Sequence, residues 1–140
     1  MALTAGRKVQ YRPGLVRSFP VKAGAQIWQG GLVMLIAGVA AAAAPGANSG
    51  VAATEVIVGV AEHSVLGGAS DGLVRVTVRT GEYLMNNSAS GDLIALSNVG
   101  SAAYVVDDET VALTSNTNVR PKAGTIVDVE SDGVWVRVGV

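Results

Sequence analysis

The chain has 140 residues, a formal net charge of −1 and no cysteine. That length suits a single domain, and the missing cysteine excludes disulfides and thiolate metal sites and fits folding in a reducing cytosol. The charge is uneven. Arg7, Lys8, Arg12, Arg17 and Lys22 precede the first acid, Glu55, so residues 1–54 carry +5, whereas the remainder has five bases and eleven acids, or −6.

In chain order, residues 1–13 are polar and basic and read as an extended arm ending at Pro13-Gly14. Leu15 to Val21 alternates loosely and is stopped by Pro20 and Lys22-Ala23-Gly24. We set the arm at residues 1–20 and the body at 21–140. Ala25 to Trp28 is a short strand and Gly30-Gly31 a turn. Leu32 to Ala37 is a continuous apolar run, as expected for a strand covered on both faces. With the alanines that follow it to Ala44 it is still too short for the roughly 18–20 residues of a membrane-spanning helix. The alanines at 40–44 favour a helical turn on propensity alone, and Pro45 to Gly50 reads as a loop.

Glu55 to Ala61 is a strand by period-two alternation, with Val56, Val58 and Val60 on one side and Ile57, Gly59 and Ala61 on the other. Leu66 to Gly72 is a loop ending in Asp71-Gly72, a strong turn signal. Leu73 to Thr80 places Val74, Val76 and Val78 inward and Arg75, Thr77 and Arg79 outward. Tyr83 to Met85 continues after a break at Gly81. Asn86 to Gly91 is a turn, and Asp92 to Ala95 a short helical or strand segment. Tyr104 to Val106 pairs with Thr110 to Leu113 around Asp107-Asp108-Glu109. Thr125 to Val129 and Val134 to Val138 form a hairpin through Ser131-Asp132-Gly133, with Trp135 and Arg137 opposite the three valines. Valine fits a pleated surface, so many short valine runs between glycine-rich turns read as mainly β. The expected fold is a small barrel-like or tulip-like body of short antiparallel strands behind an extended arm.

Residues that could carry chemistry are few. His63 is the single histidine, and without cysteine it cannot complete a zinc site unless carboxylates supply the rest. No Gly-x-Ser-x-Gly elbow accompanies it. Asp107-Asp108-Glu109 lacks the spacing of a calcium loop, and Asp128, Glu130 and Asp132 read as edge-protecting charges. Neither glycine pair leads into a phosphate-binding motif. Five bases without interleaved aromatics make a weak nucleic-acid footprint. We therefore expect no enzyme, no cofactor, no metal and no direct nucleic-acid or membrane partner. Trp28 and Trp135 stand out as either packing residues or interface anchors, since tryptophan is enriched at binding hot spots.

The order Tyr104-Val105-Val106-Asp107-Asp108-Glu109-Thr110-Val111-Ala112, then Lys122-Ala123-Gly124 with Ile126-Val127-Asp128-Val129, then Asp132-Gly133-Val134-Trp135-Val136 resembles the C-terminal signature of the head decoration, or capsid cement, proteins of tailed phages. Gly59-Val60-Ala61-Glu62 and Val74-Arg75-Val76 sit where that family places paired strands. The resemblance covers most of residues 20–140. It implies a virion protein made in the bacterial host cytoplasm that sits as a trimer on the outer capsid surface and clamps subunits of the major capsid protein. On that reading Arg7, Lys8, Arg12 and Arg17 contact the capsid, and Trp28 and Trp135 pack between protomers. The alternative is a small β-clip or barrel module that binds a ligand outside any virion, which requires a pocket with convergent polar groups.

Overall fold

The computed structural model describes residues 4–8, 10, 12, 14–44 and 55–139. Twelve strands run in chain order: β1 (Val16–Pro20), β2 (Gln26–Ile27), β3 (Leu32–Ile36), β4 (Val39–Ala42), β5 (Glu55–Ala61), β6 (Val65–Leu66), β7 (Arg75–Arg79), β8 (Gly81–Met85), β9 (Ala102–Val105), β10 (Val111–Ala112), β11 (Lys122–Glu130) and β12 (Gly133–Val138). The first sheet has the order β1-β7-β5-β3-β4 and the second β10-β9-β11-β12-β8, with β2 and β6 forming a separate ribbon. All strand-to-strand ladders are antiparallel.

The apolar run of β3 is buried on both faces, as its sequence requires. Leu32, Met34 and Ile36 point into a core shared with the second sheet, where they meet Met85, Val105, Ile126, Val134 and Val136. Val33 points the other way, into a second core with Val21, Ile27, Ala40, Val58, Val76 and Val78. The first sheet thus separates two apolar cores, and the ribbon strand β2 contributes to the second of them through Ile27.

β5 serves both cores, but not by simple alternation. Its register with β3 shifts between the pairs Val33↔Gly59 and Met34↔Ile57, leaving Val58 as an extra residue. Such a bulge turns the side chains after it to the opposite face. Ile57 and Val60 therefore join the shared core, Val58 and Ala61 the second, and Val56 is left exposed. This corrects the expectation that Val56, Val58 and Val60 share a face.

Two further expectations are corrected. Val16–Pro20 is a strand in full register with β7, from Val16↔Arg79 to Pro20↔Arg75. The body therefore begins at Val16 rather than at residue 21, and Arg17 belongs to the sheet, opposite Val78. The alanine segment is no helical turn: Val39–Ala42 pairs with β3. The hairpin turns through Ala37 and Gly38, whose φ angles are 49° and 88°. Positive φ at both central residues is the geometry that matches the twist of flanking strands, and it outweighs the modest helix propensity of alanine. The expected loop at residues 45–50 lies outside the described residues.

Both strand pairings expected in the C-terminal third are present, the first with β9 at Ala102–Val105 and β10 at Val111–Ala112. β9 and β10 pair around Asp107 to Glu109. β11 and β12 form the hairpin, with Val134, Val136 and Val138 buried and Trp135 and Arg137 on the opposite face. Gly81 is where the chain leaves the first sheet for the second. Residues 90–98 contain two single turns of 3₁₀ helix, Ser90–Asp92 and Leu96–Asn98, rather than a strand.

Each sheet is curled until its edge regions touch. A parallel bridge joins Val21, just after β1, to Ala40 of β4, and another joins Asn86, just after β8, to Thr110, just before β10. Backbone bonds from Lys22 N to Ala40 O at 2.9 Å and from Asn86 N to Glu109 O at 2.8 Å fix these seams. One bridge per sheet draws the edges together without making a closed barrel.

Truncating Leu32, fully buried in the shared core, is expected to cost about 2–5 kcal/mol, measured by chemical denaturation. Replacing Ala37 by Asn, which tolerates positive φ better, is expected to raise stability by roughly 0.5–2 kcal/mol. An unchanged or lower denaturation midpoint for Ala37→Asn would contradict the turn assignment.

Candidate interaction surfaces

Trp28 follows directly on Ile27, but the two residues have opposite fates. Ile27 is buried, whereas Trp28 is 61% exposed and belongs to neither core. The surrounding loop is held in place: Gly31 N donates to Trp28 O at 3.1 Å, Gly30 N to Ala61 O at 2.9 Å, and Gln29 N to Ser64 Oγ at 2.9 Å. The turn at Asp107 to Glu109 docks on the same loop through Leu32 N donating to Asp108 O at 2.8 Å. A Cβ on Gly31 would lie 3.1 Å from Asp108 Oδ2, so glycine permits this close approach. Trp28, Gln29, Asp108 and Glu109 line a shallow cleft of about 340 Å³.

Trp135 lies elsewhere, half-buried on the outer face of the second sheet opposite Leu84 and Asp128. With Glu82, Val127, Glu130 and Arg137 it borders a different cleft, of about 540 Å³. The two tryptophans are thus not brought to one cleft. Of the basic residues assigned to the arm, Arg7, Lys8 and Arg12 are exposed ahead of β1, while Arg17 is half-buried within it.

Two features escaped the sequence reading. Leu93, Leu96 and Val99 are exposed by 50%, 64% and 46%, while Ile94 between them is buried. Leu93 and Val99 follow the two 3₁₀ turns and Leu96 opens the second. The second is a cleft of about 440 Å³ lined by Glu55, Tyr104, Asn118, Arg120, Lys122 and Arg137, among others. Its residues come from β5, β9, β11, β12 and the loop before β11, so no sequence window contains it. One wall is a left-handed turn: Asn116, Thr117 and Asn118 have φ of 50°, 57° and 63°. For L-residues this conformation costs roughly 1–2 kcal/mol each, and Thr117 is β-branched as well. Ser115 holds the turn, its carbonyl accepting from Val119 N and Arg120 N and its Oγ from Asn118 N.

The charged groups around these features are tied into pairs. Arg120 NH1 donates to Asp92 Oδ2 at 3.1 Å and to Thr114 O at 3.2 Å, and Thr114 Oγ1 donates to Asp92 Oδ1 at 2.6 Å. The Thr114 hydroxyl first, and Arg120 second, hold the Asp92 carboxyl below its ordinary range. Arg79 Nε donates to Glu62 Oε1 at 2.7 Å, which keeps the guanidinium firmly protonated. Burial, aided by the Glu62 charge, pushes the Tyr83 hydroxyl up. Arg137 pairs with Glu82 at 3.1 Å, with both side chains mostly exposed. His63 Nε2 accepts the Thr77 amide at 3.1 Å, which completes the β5–β7 edge. Among the described residues no three His, Cys, Asp or Glu side chains are grouped to hold a metal ion. No helix among them is long and apolar enough to cross a membrane.

Comparison of the chain with family models, curated proteins and solved structures gives no match.

The Asp92 cluster makes a pH prediction. A carboxyl whose folded pKa lies below its unfolded value stabilises the fold above the ordinary aspartate value, about 3.9. That contribution is lost as pH falls through the lower folded value. Wild type should therefore melt higher than Asp92→Asn near neutral pH, and the gap should close on acidification. A gap that persists at the acid end of a series of melting curves would contradict this role.

Proposed function

We propose that this protein decorates the outer surface of a phage head, where it stabilises contacts between major capsid subunits. The observation that carries the reading is Trp28. A tryptophan left mostly in water, on a loop pinned by hydrogen bonds from three backbone amides, is pre-organised for burial against a partner. A rigid anchor of this kind loses little freedom on docking. The exposed cations Arg7, Lys8 and Arg12 ahead of β1 suit a segment that lies along an acidic or strand-edged surface. Arg17, half-buried in β1, follows this segment at the edge of the first sheet.

The curl of the two sheets, each drawn together at one seam, supports reading the body as barrel-like or tulip-like. Three copies around a common axis, with Trp28 or Trp135 between protomers, complete the proposed particle-bound form. Repetition over a shell makes each contact's strength less critical. The ligand-binding alternative gains support from the cleft at Asn118 and Lys122, considered below.

The decisive measurement is the copy number of this chain relative to the major capsid protein in purified particles. Near-stoichiometric amounts are expected, and absence from the particles would overturn the proposal. Deleting residues 2–13 should abolish head binding while leaving thermal unfolding of the body unchanged. Trp28→Ala should weaken particle association by about 2 kcal/mol or more, read from binding isotherms to undecorated heads.

A further inference from the structure

The cleft between Glu55 and the 116–120 turn is donor-rich. Asn118, Tyr104, Lys122, Arg120 and Arg137 all line it, and their side chains carry amide, hydroxyl, ammonium and guanidinium donors. Glu55, 5% exposed, is the one carboxylate of the lining. Each arginine meets an acid that does not line the cleft, Asp92 for Arg120 and Glu82 for Arg137. Those pairs use one nitrogen of each fork, and a guanidinium carries five donors in all. Lys122 is exposed, and among the described residues it has no carboxylate within 4 Å.

The balance of donors and charge selects the ligand. Many donors and few acceptors call for an oxyanion. Both arginines are paired, and Lys122 and Glu55 add one formal charge of each sign, so the formal charge of the lining is balanced. A dianionic phosphate would meet the Glu55 carboxylate with its second charge, whereas a carboxylate brings one charge and a planar pair of acceptors that matches an arginine fork. The strained turn supports a site here. Three consecutive left-handed residues, one of them threonine, are retained where they set Asn118 and Arg120 on the cleft wall. Backbone strain of this kind concentrates at functional sites.

We propose that this cleft binds a carboxylate group, with Lys122 and Asn118 as its principal contacts and the arginine forks completing the donor set. The carboxylate belongs either to a small free acid or to an aspartate or glutamate side chain of a partner protein. The inference does not rest on the capsid reading and stands or falls separately from it.

The test uses the full chain, labelled with ¹⁵N, and follows its amide shifts at matched ionic strength. The probes are succinate, a blocked triglutamate peptide and inorganic phosphate. Saturable shifts centred on Asn118, Lys122 and Thr125 with succinate or the peptide are expected. Preference for succinate would assign a free acid, and preference for the peptide an acidic side chain. Lys122→Gln should weaken binding roughly tenfold, as expected for losing one charge-assisted hydrogen bond, while Lys8→Gln should leave it unchanged. The absence of saturable shifts at these residues, phosphate binding as tight as that of the carboxylates, or equal effects of the two substitutions would each overturn the proposal.

Discussion

The rest of the structure depends on one sheet being buried from both sides. β3 and β5 send side chains into the core shared with the second sheet and into the core beneath the β2–β6 ribbon. A strand in that position must be apolar at nearly every residue, because neither face meets water. Leu32-Val33-Met34-Leu35-Ile36 meets that demand without interruption. β5 meets it with a bulge, trading one unpaired residue for the ability to fill both cores with Ile57, Val58, Val60 and Ala61. Neither core could persist if the wall between them moved, so packing couples the two halves of the chain.

The seams complete the design. A curled sheet of five short strands would ordinarily present two edges, and unpaired edges invite association with other chains. The Val21–Ala40 and Asn86–Thr110 bridges engage backbone groups next to both edges of each sheet. Side-chain surface open to partners includes Trp28 on its pinned loop, Trp135 on the outer face of the second sheet, and the exposed Leu93, Leu96 and Val99.

Much of the strand content was legible because the relevant signals are local. The β11–β12 hairpin could be read from Val134, Val136 and Val138 alternating with Trp135 and Arg137, and β7 from Val76 and Val78 between exposed arginines. β5 was misread because a bulge leaves no mark in a run of small and branched residues: Val58 and Gly59 look the same whether or not the register slips. The alanines after β3 were misread because a favourable hairpin turn at Ala37-Gly38 is a tertiary matter that propensity does not weigh. β1 was assigned to an arm because its apolar pattern is weak; its partner, β7, lies some sixty residues away. Trp28 was legible as a residue of interest, but its exposure was not. The cleft at Asn118 and Lys122 was barely legible, since residues as distant as Glu55 and Arg137 build it. The one clue was Ser115-Asn116-Thr117-Asn118, a polar run in which asparagine, the residue most tolerant of positive φ after glycine, occurs twice.

The position of β12 has a consequence for biosynthesis. Although last of the twelve in chain order, it lies inside the second sheet, hydrogen-bonded to β11 on one side and β8 on the other. The second sheet therefore cannot be completed until residue 138 has left the ribosome. Until then the layer over Leu32, Met34 and Ile36, made a hundred residues earlier, lacks Val134, Val136 and Val138. The nascent chain therefore carries a partly covered apolar face until β12 emerges, and only then is the shared core complete.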